Sequence, residues 1–118
     1  MIIFSELQKA LQEETILAYE KTVLTALQEV ENALIAYAKE QQRRTALIDA
    51  VTANRKAVRL STLLYTEGQT DFLNVLDAQR SQYTSEQALV ISTRSLSTNL
   101  VALYKALGGG WEAYDQEQ

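Results

Sequence analysis

The chain has 118 residues, one ordinary domain's worth, with no proline, cysteine or histidine and only four glycines. Without Cys or His there is no disulfide, no thiolate site, and neither the commonest metal ligand nor the commonest general base. A net charge of −4 argues against a nucleic-acid surface, which needs cationic groups to meet phosphate, and the loss of helix breakers, ordinarily about 5% Pro and 7% Gly, predicts an all-α fold.

Met1-Ile2-Ile3-Phe4 is apolar but too short for a signal peptide, and no run approaches the ~20 residues of a transmembrane helix. Ser5-Glu6-Leu7-Gln8 reads as a capping box, hydroxyl at N-cap and Gln at N3, so the first helix is predicted from about residue 5. No Pro or Gly intervenes up to residue 66, and one helix can run over about 5–66. Val23, Leu27, Val30, Leu34 and Tyr37 follow 4-3-4-3 spacing, a heptad seam that continues through Ile48, Val51 and Val58. Gln41, Arg44 and Arg55 interrupt it. A second set, Leu24, Ile35, Leu47, Leu60 and Leu63, lies beside it, which gives one broad apolar face or two narrow ones. Glu40 stands four before Arg44, the spacing of a helical ion pair.

Gly68 suits the left-handed residue that ends a helix, so the turn is placed at 67–70. Thr70 or Asp71 can cap the next helix, and Asp71 also suits the positive end of the helix dipole. The second helix is predicted over about 71–107. It opens with Phe72, Val75 and Leu76 and closes with Leu89, Leu96, Leu100, Leu103 and Leu107, with Ser, Thr and Gln between. Gly108-Gly109-Gly110 stops it, and the tail through 118, with Trp111, is expected to be disordered. The reading is a single unit: a long antiparallel helical hairpin, coiled-coil-like, with no β-strand in this chain. Leu107 should come level with Gln28 or Glu29. Two helices cannot enclose a core, so their outer apolar faces need other partners. Alone, the chain is expected to self-associate, as a dimer forming an antiparallel four-helix bundle.

Nothing in the sequence points to catalysis, a cofactor or a metal. Glu13/Glu14, Glu29/Glu31 and Asp71 with Asp77 read as solvated surface charge. The glycine triplet follows a helix and lacks the Lys-Ser/Thr of a phosphate loop. Six tyrosines are spread along the chain, not gathered on one groove. The turn leaves two readings open. Phe72, Leu73, Val75 and Leu76 either lock the arms together, with Asp77 and Arg80 as an i,i+3 pair, or they present a docking end to another protein. A stand-alone coiled-coil interaction or scaffold module would use such an end equally well.

TEGQTDFLNVLDAQRSQYTSEQAL and NLVALYKALGGGW resemble the C-terminal part of the TolC-like outer membrane efflux proteins, within them the OprM/NodT lipoprotein branch. YEKTVLTALQEVENAL resembles the segment that leads down from that family's second β-hairpin. The likeness spans roughly residues 12–112, and Met1–Leu11 is the least family-like part. It implies a homotrimeric parent in the outer membrane and periplasm of a Gram-negative bacterium, with strands in a β-barrel and long helices in a periplasmic α-barrel. This chain would be a C-terminal fragment, the last hairpin of that α-barrel, carrying no strand, signal peptide or lipidated cysteine of its own. The parent would serve a tripartite efflux pump or a type I secretion exit, with a periplasmic adaptor (membrane fusion) protein and an inner-membrane transporter as partners. It would perform no chemistry. The tip and gate residues implied by the resemblance are Tyr65, Gly68, Gln69, Thr70, Asn74, Asp77 and Arg80. Thr70 falls where some members carry a gating arginine, Asn74 where some carry a constriction aspartate, and Leu64 and Thr66 where many carry basic residues.

Overall fold

The computed structural model describes residues 2–108. The expectations for Trp111 and the tail lie outside them. Two helices make up the described residues: α1, Ile2–Thr66, of 65 residues, and α2, Phe72–Ala106, of 35. The described residues contain no strand, and no helix among them is long and apolar enough to cross a membrane.

Ser5 does not cap α1. The helix already includes Ile2, because nothing between Ile2 and Ser5 breaks it, and Ser5 takes an ordinary helical position. Hydroxyls are accommodated throughout by bonds to their own backbone. Thr15, Thr22, Thr45, Thr52 and Thr62 each donate to the carbonyl four residues back, at 2.8–3.0 Å.

α1 ends in a Schellman motif. Gly68 takes φ +74°; its N–H donates to the Tyr65 carbonyl at 3.0 Å, and the Gln69 N–H reaches back to the Leu64 carbonyl at 2.8 Å. Asp71 then caps α2: its Oδ1 accepts from the Asn74 N–H at 3.3 Å. A second left-handed glycine, Gly108 at φ +86°, closes α2 one residue earlier than expected. Lys105 stands in that last turn, where the dipole favours a cation.

The described residues divide into two compact units, 36–101 and 2–35 together with 102–108. In the first, the arms meet along one heptad seam. Tyr37, Glu40, Arg44, Leu47, Val51, Asn54, Val58 and Ser61 of α1 face Val75, Ala78, Gln82, Ser85, Leu89, Ser92, Leu96 and Asn99 of α2; all are buried or half-buried. The spacing is 3-4 throughout, but half the positions are small or polar. Only Val51 and Val75 are buried apolar residues, and Ser92 is fully buried. Val23, Leu27, Leu34 and Ile48, expected in the seam, are instead exposed by 40%, 61%, 50% and 39%, and Leu47, expected beside the seam, lies in it. In the second unit, Ala102, Lys105 and Ala106 lie across from Glu29, Asn32 and Ala33. The end of α2 thus stands beside residue 29, where the lengths of the arms place it. Every residue from 2 to 29 is exposed.

Candidate functional site

The turn brings five of the seven expected tip residues together. Tyr65 and Gly68 belong to the helix-ending motif, and Gln69 supplies its last donor. Thr70 and Asn74 bond to each other through Oγ1 and Nδ2. The Tyr65 ring packs on Phe72 from across the turn, centroids 5.3 Å apart and tilted by 55°, within the range of favourable aromatic pairs. Asp77 and Arg80 lie six and nine residues beyond the cap, roughly 9 and 13 Å along α2 at its rise per residue. They are exposed, and they form no ion pair with each other, contrary to the i,i+3 expectation; each extends into solvent instead.

The arm-locking reading of the apolar run at the turn holds in part. Val75 does lock the arms, at 3% exposure, whereas Leu73 and Leu76 remain 62% and 42% exposed beside it. The lock is local, and the remaining apolar surface points away from the seam.

Polar rungs that the sequence reading missed cross the seam above the tip. Arg55 donates through Nε (3.0 Å) and Nη2 (2.9 Å) to Glu86 Oε1, which also accepts from Gln82 Nε2 at 3.2 Å. The Gln82 bond and the Arg55 guanidinium together hold the Glu86 carboxyl below its usual range. Asn54 Nδ2 donates to Ser85 Oγ at 3.0 Å, and Ser85 Oγ donates to the Gln82 carbonyl at 2.9 Å. Further along, Ser92 Oγ donates to Glu40 Oε1 at 2.6 Å and Arg44 Nε to Thr93 Oγ1 at 3.0 Å. Glu40 therefore pairs with Arg43, at 3.8 Å, and not with Arg44, which the other arm takes. Arg44 and Arg55 read only as interruptions of the seam, and Glu40 as a partner of Arg44, because each cross-arm partner lies 31 to 52 residues away. Folding the sequence about Gly68 brings the pairs level and was the available signal.

The outer side of α2 carries a second heptad pattern. Leu73, Leu76, Arg80, Tyr83, Gln87, Val90, Arg94, Ser97 and Val101 repeat at 3-4 spacing, and all are exposed. At 3.5 residues per turn, the middle of this stripe lies roughly 150° around the helix from the middle of the inner seam. α2 thus carries a patterned face on two sides, one covered by α1 and one exposed.

The comparisons agree with this architecture. The sequence profile of the outer membrane efflux proteins matches residues 5–109. The toluene efflux pump outer membrane protein TtgC of Pseudomonas putida is 41% identical over 113 residues, 96% of this chain and 22% of that protein. The outer membrane protein OprJ of Pseudomonas aeruginosa is 35% identical over 106 residues, 90% of this chain and 22% of that one. Among solved structures, the outer-membrane channel OprN superposes with a TM-score of 0.74 at 41% identity, over 87% of this chain and 23% of the channel. The chain spans about a fifth of the length of the relatives it matches. A match over nearly its whole length, with the two-helix fold shared by a solved channel, makes this chain a member of the outer membrane efflux protein family.

Proposed function

We propose that the hairpin is a wall element and periplasmic tip of an outer-membrane efflux duct. The observation that carries this is the pair of seams on α2. A helix gripped on two lines roughly 150° apart fits a closed ring of on the order of a dozen helices and does not fit a compact bundle, whose seams lie closer together. The narrow faces left between the seams would meet water, which accounts for the Ser, Thr and Gln of α2. In this reading the parent is a trimer in the outer membrane and periplasm, and its tip meets a periplasmic adaptor that links it to an inner-membrane transporter. The duct performs no catalysis; substrate passes through its lumen. The tip residues would be Tyr65, Gly68, Gln69, Thr70, Asn74, Asp77 and Arg80. The Thr70–Asn74 bond would give a gate with fewer charges than the family pattern implies.

The test is a chimera. Residues 12–108 replace the matching segment of the toluene-pump TtgC protein, and toluene tolerance and trimer content are measured. The chimera is expected to sustain tolerance. Gly68→Val and Asp77→Lys within it are expected to abolish tolerance while trimers persist. Full tolerance in both variants would overturn the tip assignment, and a chimera that cannot form trimers would overturn the wall assignment.

A further inference from the structure

The N-terminal half of α1 carries a stripe that complements the outer stripe of α2. Ile3, Glu6, Ala10, Glu13, Leu17, Glu20, Leu24 and Leu27 repeat at 3-4 spacing, all exposed. Its charges are all acidic: Glu6, Glu13 and Glu20, one heptad apart. The α2 stripe has only cations, Arg80 and Arg94, two heptads apart with Gln87 between them. Among the described residues none of these five charged side chains has an ion-pair partner; the two ion pairs present use Glu40 with Arg43 and Glu86 with Arg55.

We propose that the α1 stripe of one copy of this chain docks antiparallel on the α2 stripe of a second copy. One register sets both arginines against glutamates. It sets Arg80 against Glu20, Gln87 against Glu13 and Arg94 against Glu6. The same register sets Leu73 against Leu27, Leu76 against Leu24 and Tyr83 against Leu17, so apolar positions meet apolar positions. A slip of one heptad that sets Arg94 against Glu13 puts Arg80 against Leu27 and leaves it without a glutamate. The matched stripe is about 37 Å long, 25 residues at the helical rise, and it forms a two-stranded coiled-coil seam in which opposite charges face each other at two of its layers. Packing α2 on α2 is disfavoured: antiparallel about Gln87 it sets Arg80 against Arg94 of the second copy, and parallel in register it sets each arginine against itself. The contact joins two different surfaces, so it is heterologous, and each copy has one of each to offer. This pairing concerns copies of the 118-residue chain and stands apart from the duct reading.

The experiment is a charge swap followed by sedimentation. Wild type is expected to associate with rising concentration, and less so at high salt. Arg80→Glu with Arg94→Glu, or Glu6→Arg with Glu20→Arg, each leave one stripe intact and are expected to weaken self-association at least tenfold. Mixing the two variants, or combining all four changes in one chain, is expected to restore association. Circular dichroism confirms that each variant remains helical. Wild type that stays monomeric, swap variants that associate as wild type does, or mixtures that do not recover would each overturn the proposal.

Discussion

At Gly68 the backbone sits at φ +74°, and beyond its own chain neighbours no atom lies within 4 Å of where a Cβ would be. Substitution there costs only backbone strain, with no clash added. Gly68→Ala is expected to destabilise the hairpin by about 1 kcal/mol, and Gly68→Asn by less, since Asn tolerates the left-handed region; thermal unfolding followed by circular dichroism orders the three. Glu86 gives a pH signature. Its folded pKa lies below the ordinary 4.5, first through the Gln82 bond and then through Arg55. A depressed carboxylate contributes stability that is fully present above pH 4.5 and is lost as pH falls through the folded value. Wild type is therefore expected to have a higher melting midpoint than Glu86→Gln at pH 7. The gap should close below pH 4.5; a gap that widened in acid would contradict the Arg55 clamp.

On the scale of the helices, α2 separates two roles that hydrophobicity alone does not distinguish. Val75 is 3% exposed and Leu73 62%, two residues apart. Val75→Ala removes two buried methyls and is expected to cost about 2 kcal/mol. Leu73→Ala, on the outer stripe, is expected to change stability within about 0.5 kcal/mol. Urea unfolding at low concentration measures both. The helices, the turn at Gly68 and the cap at Asp71 were legible in the sequence because breakers and caps act locally. Tyr37, Val51 and Val58 fell correctly on the inner face. Val23, Leu27, Leu34 and Ile48 did not, and Leu47 was read beside the seam it lies in, because a search for apolar spacing passes over Glu40, Arg44 and Asn54, which occupy the seam. Small residues let the arms approach, and polar ones are satisfied by partners such as Ser92 and Ser85 on the other arm. The larger apolar side chains are left to face outward. Of the proposed tip residues, Gly68 was marked in the sequence by the turn it makes, whereas Asp77 and Arg80 have no side-chain hydrogen bond or ion pair in the hairpin to mark them.

For the molecule as a whole, the distribution of apolar surface sets how it can be stable. Among the described residues only Val51 and Val75 are buried apolar side chains, while Tyr83, Val90, Leu24 and Leu27 are each at least 60% exposed. Burial contributes roughly 25 cal/mol per Å² of apolar surface, so most of the stabilisation this sequence can supply is realised only when the outer stripes are covered. Whatever binds the folded chain and not the unfolded one raises its apparent stability by mass action. The melting midpoint of the chain is therefore expected to climb steadily with protein concentration. Adding the charge changes Arg80→Glu and Arg94→Glu should flatten that dependence without shifting the dilute-limit midpoint by more than about 0.5 kcal/mol equivalent, the scale of surface substitutions. Midpoints from circular dichroism across a wide concentration range test this. A midpoint independent of concentration in the wild type would mean that the two arms stabilise each other alone, through the polar rungs of Arg55–Glu86, Asn54–Ser85 and Glu40–Ser92, and that the exposed stripes contribute nothing to folding.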